Sequence, residues 1–185
     1  MFTAKEYFQT MMFTQNKINS KREVVVILPY VGEKVLMQLR DFKKRIAFPG
    51  QWGFFGGAIE KGETPNETAE RELYEEIGYR SAAINQLNRI KMPELGNIIS
   101  YSFCCQLTVS VSELVLNEGM DFGLFSLKDV MNKHLYSEKL EKYFPVIPSN
   151  YIAKTFKEFL SYRKNKGTKN GCSIPFCSQK NKVFL

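Results

Sequence analysis

The sequence predicts an α+β sandwich built as one main domain, which its 185 residues fit comfortably. Three observations predict it. An early β-branched run, Glu23-Val-Val-Val-Ile-Leu-Pro-Tyr30, reads as a strand; a strongly signposted helix sits between strand-like segments; and helical patterns return late in the chain.

The elements follow in order. Residues 1–22 read as an N-terminal helical extension, with Phe8, Met11 and Met12 at helical spacing as a docking face. The strand over 23–30 turns through Val31-Gly32-Glu33-Lys34 into a second strand, Val35–Arg40. Residues 41–57, rich in Gly, Pro and aromatics, read as a long loop feeding a short strand. Thr64-Pro65-Asn66-Glu67 then supplies an N-cap hydroxyl, a first-turn proline and a capping-box carboxylate, and the helix it opens ends at Gly78. Ala69, Leu73 and Ile77 repeat every four residues, so this helix lies on something apolar. Strands are expected at 83–91, 98–111 and 121–126, and helices at 127–134 and 150–164. The domain itself spans 23–162, and 163–185 is a basic tail.

Composition narrows the chemistry. With 44% hydrophobic and 24% charged residues the chain suits a packed core. A single histidine, His134, excludes a histidine-rich zinc centre and leaves nucleophilic triads one imidazole to use. The longest apolar run, Val24–Leu28, is far short of the roughly 20 residues of a membrane span. The formal charge is +7, but Arg163, Lys164, Lys166, Lys169, Lys180 and Lys182 occupy a tail without acids, so the body is nearly neutral. That tail is either a solvated extension or an arm for nucleic acid. Cys104-Cys105 sit in an apolar run, with Cys104 read as core, and Cys172 and Cys177 lack a nearby His. Without a secretory pattern in 1–19, a reducing, cytoplasmic setting is expected.

The chemistry concentrates after residue 56. Gly57 to Gly62 has the look of a phosphate loop, yet Glu63-Thr64 stands where a P-loop needs Lys-Ser/Thr. A glycine loop lined by acids approaches phosphate only with a cation between them. Glu72, Glu75 and Glu76, spaced i, i+3, i+4, occupy about a 100° arc of one helical face. All-oxygen donors suit a hard ion, Mg²⁺ or Mn²⁺. Alone, three such glutamates read rather as a solvated acidic face.

The pattern from Gly57 through Glu63 to Arg71-Glu72-Leu73-Tyr74-Glu75-Glu76-Ile77-Gly78-Tyr79 resembles the Nudix box, G-x5-E-x7-R-E-U-x-E-E-x-G-U, at every fixed position. A chance match at a given start is on the order of 10⁻⁸ or less. Tyr79 is aromatic where the class is usually aliphatic, and Phe55 stands where many relatives have Pro before the double glycine.

The resemblance implies an α/β/α sandwich with a mixed β-sheet that uses a divalent metal to hydrolyse a nucleoside diphosphate linked to another group, nucleotide or nucleotide sugar. It implies Glu72, Glu75 and Glu76 as metal ligands together with the Gly56 carbonyl. Arg71 would orient the glutamates, or else merely pair with Glu67 and Glu75 one turn away. Glu63 would brace the loop–helix junction, or serve as an acid at a helix N-terminus. Glu118 is a further metal ligand or a turn glutamate beside Gly119. Glu72 is the first choice of base and Glu76 the second. Arg40 is a phosphate contact or a surface charge, and Trp52, Phe54 and Phe48 stack on substrate or fill the core. A nucleotide-sensing or nucleic-acid-binding module of the same fold, and an RNA cap hydrolase, are the competing readings. Oligomeric state stays open.

Overall fold

The computed structural model describes residues 22–44, 46–92, 98–147 and 150–169. The docking face at Phe8, Met11 and Met12, the cysteines at 172 and 177, and the tail after 169 lie outside them.

The expected opening hairpin forms from β1, Glu23–Val31, and β2, Lys34–Leu39, which pair antiparallel only beside their turn, at Tyr30 with Val35 and Val31 with Lys34. They then diverge. β1 runs parallel to β5, Ile98–Gln106, from Glu23 opposite Ile99 to Tyr30 opposite Gln106. Antiparallel to β5 lies β4, Asn85–Met92. Along β2 lies β6, Asp121–Phe125, and at its end the two-residue β3, Trp52–Gly53. The sheet is therefore mixed, with order β3-β2-β1-β5-β4 and β6 on β2.

From Val24 onward β1 is almost continuously apolar because both faces of the sheet are covered. Val25 and Ile27 face α1, Pro65–Ile77, in a core with Leu73, Ile77, Phe55 and Phe103. Leu28 and Tyr30 face the opposite way, into a core with Trp52, Phe156 and Phe159. The last two belong to α3, Asn150–Lys169; between α1 and α3 in chain order lies the short α2, Leu127–Met131. Adjacent residues on a strand point to opposite faces, so Cys104 and Cys105 enter different cores, both free and buried. Burial raises each thiol to about 12. This is the α/β/α sandwich expected.

The differences are local. β5 stops at Gln106, and the stretch expected to continue it carries a single 3₁₀ turn, Val111–Glu113, capped by Ser110. α2 stops three residues early, where Asn132 caps it and Lys133 takes a left-handed φ of 63°. A hairpin of β7, His134–Ser137, and β8, Lys142–Pro145, follows. Asp121 secures that hairpin by accepting bonds from the Ser137 hydroxyl at 2.5 Å and the Lys139 amide at 3.3 Å. α3 continues to Lys169, past the expected tail boundary at 163. Among the described residues no helix is long and apolar enough to cross a membrane.

Candidate active site

The helix that carries the acids is fixed at both ends by its own sequence. The Thr64 hydroxyl accepts from the Glu67 amide at 3.3 Å, and the Glu67 carboxylate accepts from the Thr64 amide at 2.8 Å. Gly78, at φ 64°, closes the other end by donating to the Tyr74 carbonyl. With Ala69, Leu73 and Ile77 packed inward, Glu72 and Glu76 come to lie along the edge of that buried stripe. Glu75 stays in solvent: its side chain is 56% exposed, against 15% for Glu72.

Arg71 gathers the acids. Its Nε donates to Glu63 Oε1 at 2.7 Å and Nη2 to Glu63 Oε2 at 3.0 Å, while Nη1 reaches Glu72 at 2.9 Å and Glu75 at 3.0 Å. The Ala58 carbonyl accepts from Nη2 at 3.3 Å. The local pair with Glu67 does not form, since Glu67 is spent on the cap. The Arg71 bonds, then the Thr68 hydroxyl, hold the Glu63 carboxyl down at about 2.

Glu76 is the deep member, with 2% of its surface exposed. One carboxylate oxygen accepts from Gln38 Nε2 at 2.6 Å and the other from the Gly56 amide at 2.8 Å. Burial outweighs both bonds and pushes the carboxyl up to about 8, with the charges of Glu72 and Glu118 adding to the rise. Burial likewise raises Glu72 above the usual carboxylate range despite Arg71, and Glu118 again contributes.

The double glycine is dictated by what it touches. At Gly56, φ 128°, a Cβ would strike the Val25 backbone; at Gly57 it would strike the Glu72 carboxylate. Phe55, in the place many relatives give to Pro, is fully buried in the core under α1. The loop bearing Glu118 is sewn down on both sides: Asn117 N donates to Glu76 O at 2.9 Å, and Met120 N to Leu39 O at 2.7 Å.

Beyond the glycines a cleft of about 250 Å³ opens on the α3 side, walled by Arg40, Phe48, Phe54, Ser100 and Tyr151. Arg40 is held by its Nε on the Ala47 carbonyl at 2.8 Å. Gly56 and Gly57 form the cleft's rim and touch the acidic cluster from its other side. Trp52 differs from the expectation of a stacking surface. It is 0% exposed, its indole N–H donates to the Leu135 carbonyl at 3.1 Å, and its ring meets Phe125 edge-on at 4.9 Å. Pairing of β3 with β2 turns Trp52 into the core, so both faces and the polar tip are occupied. His134 is not part of the cleft wall.

The donors are all oxygen, and carboxyls displaced upward first by burial and then by neighbouring carboxylates describe a place where a hard cation favours the ionised forms. That chemistry fits Mg²⁺ or Mn²⁺. As they stand, Glu72 and Glu75 are turned to Arg71 and Glu76 to Gln38 and Gly56; among the described residues no three potential ligands enclose an ion. Gln38 is the contact that sequence reasoning did not anticipate. Its signal was a lone amide within Val35-Leu-Met-Gln-Leu39.

Comparison with known proteins bears on the whole of this region. The chain is 38% identical over 77 residues to the oxidized purine nucleoside triphosphate hydrolase of Danio rerio, covering 42% of this chain and 47% of that protein. It is 53% identical over 62 residues to the nucleoside triphosphatase NudI of Enterobacter sp. (strain 638), covering 32% and 43%. The matches thus span less than half the length of these curated relatives. Its fold is similar to that of a MutT NUDIX hydrolase from Burkholderia pseudomallei, with TM-score 0.57, 17% identity, and coverage of 76% of this chain and 98% of that one. The family model of the NUDIX domain matches residues 20–146, from just before β1 through β8, and the protein accordingly belongs to the Nudix family.

Proposed function

We propose that this chain is a Mg²⁺-dependent, or Mn²⁺-dependent, hydrolase of a phosphoanhydride bond in a nucleoside diphosphate linked to another group. The observation that carries the reading is the Gly56–Gly57 strap, with the Glu72 and Glu76 carboxylates against one side and an aromatic cleft on the other. A substrate lying across that strap would keep its nucleoside in the cleft and its phosphates beside the acids. The relatives named as nucleoside triphosphate hydrolases support a nucleotide substrate.

Glu72, Glu75, Glu76, Glu118 and the Gly56 carbonyl would hold the metal. When bound, it supplies positive charge to neutralise the diphosphate and acidify water. The residues of the chain do the rest. Arg71 keeps Glu72 and Glu75 oriented through charge-assisted bonds. Glu63 anchors Arg71 and so fixes the loop to the helix. Glu72 takes the proton of the attacking water, with Glu76 the second candidate for that role. Arg40 offers its guanidinium, and Phe54 and Phe48 their rings, to the substrate in the cleft.

The test is a panel of nucleoside di- and triphosphates, nucleotide sugars, dinucleoside polyphosphates and capped RNA, assayed with Mg²⁺ and Mn²⁺ and with product identification. Cleavage of a diphosphate linkage, lost in Glu72→Gln and in Glu76→Gln while the fold is kept, is the expected result. Full activity in both variants would remove the site assignment.

A further inference from the structure

The buried amide of Gln38 has no structural need to be there. Its side chain is 1% exposed near the end of β2, between Met37 and Leu39, which are themselves fully buried. An apolar residue of similar length would fill the space without the desolvation cost of an amide. What the amide adds is the 2.6 Å bond from Nε2 to Glu76 Oε1, across 38 residues of sequence.

We propose that Gln38 is a positioning residue that sets the orientation of the Glu76 carboxylate and the placement of the Glu118 loop relative to it. This deepens the reading given above, on which it rests. A glutamate's terminal torsion is broad and roughly two-fold, so one bond leaves the carboxylate free to swing about it. Glu76 has two: the Gly56 amide holds Oε2 and Gln38 holds Oε1. The other end of the same amide lies against the Glu118 loop. A Cβ built on Gly119 would come within 3.0 Å of Gln38 Oε1 and 2.9 Å of the Leu39 carbonyl, which itself accepts from Met120 N. One side chain therefore touches the helix that carries Glu72, Glu75 and Glu76 and the loop that carries Glu118.

The choice of an amide follows from the charge balance. A lysine or arginine in that position would bond Glu76 equally well but neutralise the charge a cation must find. A glutamate would repel it. An amide orients the carboxyl while neither cancelling nor adding charge, as partners outside a metal's own ligands commonly do.

The experiment measures Mn²⁺ affinity of the full chain, by the loss of the free-ion electron paramagnetic resonance signal, for wild type, Gln38→Met, Glu76→Gln and the double variant. Thermal melts and kcat and KM are recorded alongside. Gln38→Met is expected to weaken Mn²⁺ binding by about 10–100-fold and to lower kcat more than it changes KM. In the Glu76→Gln background it should add almost nothing, because its target is already gone. Wild-type affinity in Gln38→Met, or the same fold-loss in both backgrounds, overturns the proposal. If Gln38→Met does not fold, Gln38→Asn, one methylene short of Glu76, is judged by the same affinities in the same two backgrounds. Undiminished affinity in Glu76→Gln itself would bring down the underlying metal reading as well; weakened affinity there with none in Gln38→Met removes Gln38 alone.

Discussion

Arg71 and Glu63 are joined at two points, Nε to Oε1 at 2.7 Å and Nη2 to Oε2 at 3.0 Å, so the residue at the midpoint of α1 is locked to the loop that precedes the helix. The planar fork is what makes the joint rigid, and it leaves Nη1 for Glu72 and Glu75.

Arg71→Lys should therefore fold, because the Thr64–Glu67 cap is untouched. A lysine cannot hold Glu63 at two points and serve Glu72 as well. Mn²⁺ affinity and turnover are expected to fall by about 10–100-fold, with little change in melting temperature. Wild-type affinity in this variant would show that the clamp positions nothing.

The same joint has a pH signature. The folded Glu63 carboxyl is held at about 2, below the 4.5 of a free glutamate. A depressed carboxyl contributes stability that is fully present above the unfolded value and is lost as pH falls through the folded one. The advantage of wild type over Glu63→Gln in urea denaturation should be constant above about pH 4.5 and shrink steadily toward pH 2. An advantage that does not change over that window would count against the assignment.

Gly56 and Gly57 should fail differently on replacement by alanine. At Gly56 the new Cβ meets the β1 backbone and the φ of 128° is strained, so about 1–3 kcal/mol or more of stability is lost, read from chemical denaturation. At Gly57 it meets the Glu72 carboxylate, a side chain that moves aside, so the protein melts near its normal temperature while turnover drops. Equal stability losses in the two variants would contradict this division.

Trp52→Phe tests the core placement. The substitution removes the indole donor from the buried Leu135 carbonyl, at a cost of about 1–3 kcal/mol in unfolding free energy, and leaves KM unchanged. A raised KM with undiminished stability would return Trp52 to the substrate.

What the sequence makes legible is what is local. The capping box at Thr64, the glycine stop at 78 and the order of the acids on α1 all depend on neighbours a few residues away. Trp52 and Phe54 are of one chemical kind in one segment. Both are buried in the core on the α3 side; Phe54, 6% exposed, also lines the cleft, whereas Trp52, paired with Leu39, does not. The β7–β8 hairpin rests on Asp121, more than a dozen residues upstream of Ser137, and Gln38 finds its meaning in Glu76 on another element. Glu118 lies between these cases. The family resemblance offers it as a metal ligand or a turn glutamate, and the backbone bonds at Asn117 and Met120 hold the loop from which its charge acts on Glu72 and Glu76.

The parallel partnership of β1 with β5 carries a consequence for biogenesis. Residues that meet there, such as Ile27 and Phe103, leave the ribosome far apart in time, and loop-closure entropy delays their meeting further. Until β5 is synthesised, the flank of β1 that it will occupy offers unsatisfied amides and carbonyls to any extended chain nearby. Aggregation during synthesis should thus be governed by how quickly translation proceeds from Val31 to Gln106.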